Sequence, residues 1–301
     1  MTQPQSHMRP VLQALLVTFL WSTSFIIIKW GLAEIPPLTF AGLRYSIAFL
    51  ALLPLALAPK YRNQLKNLTA TQWVKLASLG VLFYSLTQGT LFLGLSLLPS
   101  VTVSLVLNFT PVIVVFMGKL FIQEAPTRLQ IAGILFFVLG IFIYFFPVHL
   151  KSGEGLGLII MIFGVLVNAG SSTLGREINR SGAISPVIVT VISMGIGSLV
   201  LLLVGIMKDG IPTIGLSNGL YLLWMAIINT AFAFTLWNVT LRSLTAMQSS
   251  IINGTMLIQI ALLAWFFLGE SITAKTGLGM IFVAVGALLV QLRFGNKNHS
   301  A

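Results

Sequence analysis

FIQEAPTRLQIAGILFFVLG at residues 121–140 and FLGESITAKTGLGMIFVAVG at residues 267–286 are one pattern written twice. Glu124 matches Glu270, Gly133 matches Gly279 and Gly140 matches Gly286, all at a spacing of 146 residues. Ser104 and Ser250 keep that spacing. Nearer the start of each half it becomes 149, pairing Ser22 with Ser171 and Pro37 with Pro186, a change that an indel of three residues explains. The chain therefore repeats at half length, which predicts one unit over 1–150 and a second over 151–301. Within each copy the two glycines stand seven residues apart, about two helical turns, so they share a helix face. Small residues on one face let helices approach closely, and that packing is their expected role.

The composition around this repeat is that of a membrane protein. Hydrophobic residues make up 57% of the 301 residues, and charged residues only 8%, against about 25% in an average soluble domain. The mean hydropathy is +0.99. A water-soluble enzyme, a nucleic-acid binder and a disordered regulator are excluded, because 17 basic and 6 acidic residues cannot cover a soluble surface of this size. The net charge of +11 reflects orientation in a bilayer rather than affinity for nucleic acid. With no Cys, disulfides, iron–sulfur clusters and thiol catalysis drop out.

A bilayer core of about 30 Å takes about 20 apolar residues per helix. Ten stretches qualify: 11–31, 37–58, 73–96, 100–122, 128–147, 155–175, 184–206, 219–240, 246–268 and 273–292. The runs are continuous rather than alternating, which disfavours a β-barrel. The first resembles the start of a signal peptide, with Arg9 before an apolar run, but its length and the nine spans after it favour a retained helix. The longest connection is Pro59 to Thr71. Ten spans put both termini on one side. That side receives Arg9, Lys60, Arg62, Lys66, Lys75, Lys119, Arg128, Arg176, Arg180, Arg242, Arg293 and Lys297. The other receives Lys29, Lys151, Lys208 and Lys275. Twelve against four predicts cytoplasmic termini. Trp30, Trp73 and Tyr221 fall near span ends, where aromatic belts sit.

Each half then holds five spans. Five is odd, so the second copy enters the membrane the other way up. The predicted fold is all-α and integral to the membrane, with ten transmembrane helices in two inverted five-helix repeats. Such repeats place a site near the midplane between the copies and let it open to either side in turn. The expected activity is transport of a small molecule. The competing class, an intramembrane enzyme or assembly factor, lacks residues to support it. His7, His149 and His299 lie in tails or a loop, and the six acidic residues lie at span ends or in loops. No carboxylate pair, metal-ligand motif or cofactor motif stands in the core, and no cofactor is expected. The missing intramembrane acid also favours passive exchange over proton coupling, with Lys29 and Arg44 the remaining candidates for a coupling role.

Uncharged polar residues at mid-span depth are the candidate lining. Trp21, Ser22, Thr23 and Ser24 lie in the first span, Tyr84 and Gln88 one turn apart in the third, and Ser104 and Asn108 one turn apart in the fourth. The sixth span holds Asn168. The eighth holds Asn229, Thr230, Trp237 and Asn238, and the ninth holds Gln248, Ser249, Ser250 and Asn253. Ser and Thr often bond their own backbone, whereas buried Asn and Gln need partners. The substrate-lining set is therefore Trp21, Ser22, Arg44, Tyr84, Gln88, Asn108, Asn168, Trp237 and Asn253. Arg44 is the clear charge inside a span. Three roles stand open for it: snorkelling to the interface, a structural link to carbonyls or to Glu34, or two-pronged recognition of an anion such as a carboxylate. Pro111 inside the fourth span is expected to bend it and free a carbonyl.

The passages FLWSTSFIIIKW, PPLTFAGLRYSIAF, TPVIVVFMGKLFIQEAPTRLQIAG and LAWFFLGESITAKTGLG together resemble the EamA-type branch of the drug/metabolite transporter superfamily. The resemblance covers residues 10–292. Trp21-Ser22 stands where Trp-Gly is usual, and Gln123-Glu124 where Gly-Glu is commoner. The resemblance implies a multi-pass exporter of amino acids or related metabolites in the inner membrane, with a small-molecule substrate and the lipid bilayer as its partners.

Overall fold

The computed structural model describes residues 8–114, 117, 127–146, 151–240, 244 and 252–291. Every regular element among them is helical. The first half contributes α1 (Met8–Gly31), α2 (Pro37–Leu57), the short α3 (Pro59–Lys66), α4 (Ala70–Leu97), α5 (Ser100–Val114) and α6 (Arg128–Phe145). The second contributes α7 (Glu154–Arg180), α8 (Pro186–Asp209), α9 (Leu216–Trp237), α10 (Ile252–Leu268) and α11 (Ala274–Gln291). Among the described residues seven helices are long and apolar enough to cross a bilayer: α1, α2, α4, α6, α7, α8 and α9. Helices α5, α10 and α11 are shorter and apolar. The remainders of the expected spans 100–122 and 246–268 fall mostly outside the described residues.

Local chemistry sets the boundaries. Helices α2 and α8 both begin on a proline, Pro37 and Pro186. At that position the missing N–H costs nothing and φ is already helical. Thr69 with Gln72, and Thr127 with Gln130, form reciprocal caps ahead of α4 and α6. The connection expected between Pro59 and Thr71 is partly helical: Pro59 starts α3, whose polar face carries Lys60, Arg62 and Lys66 and buries nothing.

The repeated glycines do what their spacing predicts. A Cβ on Gly133 would lie 2.8 Å from the Gly286 carbonyl, and one on Gly286 would lie 2.7 Å from the Gly133 carbonyl. Gly140 and Gly279 face each other in the same way, at 2.7 and 2.9 Å. Helices α6 and α11 therefore run antiparallel, backbone to backbone. Exchanging the two copies maps this contact onto itself. Helices α2 and α8 repeat the logic, with Gly42 against the Leu202 backbone and Gly205 against the Thr39 backbone. Helix α4 packs on α8, and its counterpart α9 packs on α2. Each half is thus closed by the other.

The outward faces of α6, α7 and α11 expose Leu135, Phe142, Ile159, Ile162 and Ile281. This suits hydrocarbon rather than water. Trp30 and Trp73 are also exposed, and Trp30 packs with Tyr221 and Phe267 at 6.0 and 5.9 Å. The chain is a multi-pass membrane protein.

Candidate functional site

Two helices among the described residues widen to π geometry, at matching places in the repeat. Helix α4 widens to a π-helix over Gly80–Thr87 and α9 over Ile227–Phe232. Shifting the first segment by 146 residues gives 226–233. A π-turn alters the register of the side chains after it and is frequent at functional sites. Threonines help satisfy both turns. Thr87 donates to the Leu82 carbonyl at 2.9 Å and Thr230 to the Met225 carbonyl at 2.8 Å, each five residues back.

Arg44, on α2, lies against the second π-segment. It is only 3% exposed, so it does not snorkel. Its Nε donates to Thr230 Oγ1 at 2.9 Å and its Nη2 to Ser24 Oγ on α1 at 3.3 Å. Its guanidinium also sits 5.3 Å from the Tyr45 ring centroid. Glu34 takes a different partner, accepting a hydrogen bond from Asn218 Nδ2. Among the described residues no carboxylate lies within ion-pairing distance of Arg44. Its counterpart at the 149-residue spacing is Ser193, which donates to the Leu76 carbonyl at 3.0 Å. The cation is therefore a departure from the symmetry of the scaffold.

Asn229 precedes Thr230 on the same turn and ties α9 to α1. Its Nδ2 donates to the Leu20 carbonyl at 2.8 Å, to Thr23 Oγ1 at 3.1 Å and to Ser24 Oγ at 2.9 Å. Next to Leu20, Trp21 is half-buried against Phe234 and Trp237, at 5.1 and 5.3 Å between ring centroids. Phe234 in turn meets Phe83 at 6.3 Å, Phe83 meets Tyr84 at 4.9 Å, and Tyr84 meets Tyr45 at 5.5 Å. An aromatic chain thus runs from Trp237 to the residue beside Arg44, across both halves. Among the described residues the Trp21 Nε1 donor and the Asn229 Oδ1 acceptor are buried without partners.

Of the nine residues read from the sequence, Trp21, Trp237, Tyr84 and Arg44 fall in or beside this cluster. Ser22 is buried facing the other way. Its hydroxyl donates to the Thr18 carbonyl at 2.8 Å and to Gln259 Oε1 on α10 at 2.9 Å. Asn108 donates to the Ser104 carbonyl of its own helix at 2.8 Å. It marks the interruption of α5 at Asn108 and Phe109. Pro111 supplies no N–H to the Leu107 carbonyl, and the Thr110 hydroxyl donates to it instead at 2.8 Å. Asn168 Nδ2, from α7, then donates to Thr110 Oγ1 at 3.1 Å, so the interrupted turn is held from the opposite half. Gln88 is buried on α4, whereas Asn253 is exposed and is not brought to the cluster. Glu124, Gln248, Ser249 and Ser250 lie outside the described residues, as does the side chain of Asn238.

Tyr45 and Gln259 escaped the sequence reading. Ser24, Asn229 and Thr230 were visible as mid-span polar residues but not as Arg44's surroundings. The π-turn that brings them there has no composition signal. Gln259 had one: a lone amide in the apolar run MLIQIALL.

One end of the bundle is tied across the halves. The Glu270 carboxylate accepts from the backbone N–H groups of Ser100 at 2.7 Å and Val101 at 3.1 Å, capping α5 from the second half. Lys29 Nζ donates to the Leu98 carbonyl of the same connection at 2.6 Å. At the other end, Lys75 and Glu177 form an exposed ion pair at 2.6 Å.

Comparison with known proteins agrees with this architecture. An uncharacterized transporter of Archaeoglobus fulgidus is 24% identical over 282 residues, covering 93% of this chain and 97% of the relative. A probable amino-acid metabolite efflux pump of Escherichia coli is 24% identical over 283 residues, covering 91% of each. An S-adenosylmethionine/S-adenosylhomocysteine transporter of Chlamydia trachomatis is 24% identical over 286 residues, covering 90% of this chain and 86% of that one. A solved crystal structure superposes with a TM-score of 0.67 at 16% identity, over 94% of this chain and 97% of that chain, which shows the shared fold. The EamA-like transporter family matches residues 8–146 and again 155–292. Both halves of the chain carry that match, and the chain belongs to the EamA-like transporter family.

Proposed function

We propose that this transporter exports small carboxylate-bearing metabolites of the amino-acid kind across the inner membrane, by alternating access. The proposed topology has ten spans, cytoplasmic termini and two inverted units, 1–150 and 151–301. The observation that carries the cargo assignment is Arg44, buried between the halves and held by hydroxyls rather than by an acid. Burying an arginine in a membrane helix costs about 2.5–3.5 kcal/mol on insertion scales, and neutral hydroxyls leave its charge uncompensated. An anionic cargo would supply the counter-charge only while bound. The two relatives named for an amino-acid metabolite and for S-adenosylmethionine both point to cargo carrying an α-amino acid group. Alternating access is supported by the self-mapping contacts of α6 with α11, which allow the halves to exchange shapes at similar energy.

The test is transport in reconstituted vesicles across a panel of amino acids and other small carboxylates, with and without a pH gradient. Cargo-dependent flux above protein-free vesicles is expected for carboxylates, without need of the gradient. Flux confined to compounds without a carboxylate would refute the assignment.

A further inference from the structure

The symmetric part of the cluster builds the scaffold, and the asymmetric part is free to recognise a cargo. Asn229 belongs to the asymmetric part: its counterparts in the first half are Phe83 at the 146-residue spacing and Gly80 at 149. The residue is fully buried, and its Oδ1 has no hydrogen-bond partner among the described residues. Asn229 Nδ2 lies 2.8 Å from the Leu20 carbonyl, which can only accept, so a flipped amide would put oxygen against oxygen there. The partnerless oxygen is thus a property of the site. An acceptor buried in that way costs about 1–3 kcal/mol, and in a native protein it calls for an explanation.

Its neighbour supplies one. Asn229 Nδ2 and Arg44 Nη2 meet on the same atom, Ser24 Oγ, at 2.9 and 3.3 Å. A buried cation and the amide that carries a buried partnerless acceptor meet on one hydroxyl. A ligand satisfying both needs an anionic group and a hydrogen-bond donor held close together. The α-carbon of an amino acid carries both, as carboxylate and ammonium. We propose that Asn229 is a specificity-determining residue whose Oδ1 accepts from the α-ammonium of a cargo whose carboxylate is bound by Arg44. This rests on the Arg44 reading above and adds a second contact to it. Asn229 then separates amino acids from carboxylates that lack the donor.

The test is counterflow with the full chain in liposomes, using whichever of the twenty L-α-amino acids exchanges fastest as the labelled probe. Its unlabelled α-keto acid and its decarboxylated amine serve as competitors. The keto acid keeps the carboxylate and loses the donor. With the native protein, the keto acid is expected to compete about tenfold more weakly than the parent amino acid, the scale of a hydrogen bond to a charged group. In Asn229→Leu the difference should close to within about twofold, because the amino acid loses its advantage. Equal competition by keto acid and amino acid in the native protein overturns the proposal, as does a gap that persists in Asn229→Leu. If that variant fails to fold, having lost its ties to α1, the native competition ratio decides alone. The amine reports on Arg44 separately: an amine that competes as well as the amino acid, or no counterflow by any of the twenty, removes the carboxylate reading beneath both.

Discussion

Arg44 is a planar, permanently charged group with its Nε on Thr230 and its Nη2 on Ser24. Lysine keeps the charge but cannot reproduce that fork. Arg44→Lys is therefore expected to reduce carboxylate flux in vesicles by about tenfold, and Arg44→Gln by up to about a hundredfold, following the 1.5–3 kcal/mol of a charge-assisted bond. Both variants should reach the membrane: Arg44→Gln removes the buried charge and lowers the cost of insertion, and Arg44→Lys leaves that cost as it is. Undiminished flux in both would make the arginine structural. The sequence singled out Arg44 because it is the one charge well inside an apolar span, but it offered Glu34 as a partner ten residues away. The true contacts, Thr230 and Ser24, lie 186 and 20 residues distant. Such contacts depend on how helices pack. No local pattern announces them.

At the scale of single helices, the glycines divide into two kinds. Gly286 lies against the Phe137 backbone nitrogen, with 2.5 Å to any Cβ placed on it, whereas Gly170 on α7 has nothing within 4 Å. Alanine is the better helix former by about 1 kcal/mol. Gly170→Ala should thus be neutral or slightly stabilising, and Gly286→Ala should lower the thermal unfolding midpoint by forcing α6 and α11 apart. Equal effects in a detergent melt would remove the close-packing role. The helix termini make a second prediction. Glu270 holds two backbone N–H groups at the start of α5, and loss of a cap costs about 0.5–2 kcal/mol. A cysteine introduced at Ser100, a buried position, should alkylate several-fold faster when Glu270→Ala is added. An unchanged rate would mean that the carboxylate does not hold that end shut. The glycine faces were legible because seven-residue spacing maps directly onto a helix surface. Pro111 announced an irregularity in α5, though not the Thr110 hydroxyl and Asn168 amide beside it. The π-segments were invisible, since GVLFYSLT and IINTAF read as ordinary apolar helix.

The whole molecule is organised by one property of the sequence, its repeat at half length. The 146-residue spacing paired the helices. The structure then set α6 antiparallel to α11 and α2 antiparallel to α8. The polar cluster was less legible. Asn253 has the right depth and residue type and is nonetheless exposed, while Gln259, one and a half turns on, faces α1. Depth is written in hydropathy, but the azimuth of a residue on a nearly uniform apolar helix is not. The inverted arrangement is the claim on which the transport mechanism stands, and the absence of native cysteines makes it directly measurable. Thr127 and Thr273 are exposed, start α6 and α11, and stand 146 residues apart. With a membrane-impermeant maleimide applied to intact cells and to inside-out vesicles, Thr127→Cys should label only from the cytoplasmic face and Thr273→Cys only from the outer face. Labelling of both from the same side would contradict the inverted repeat.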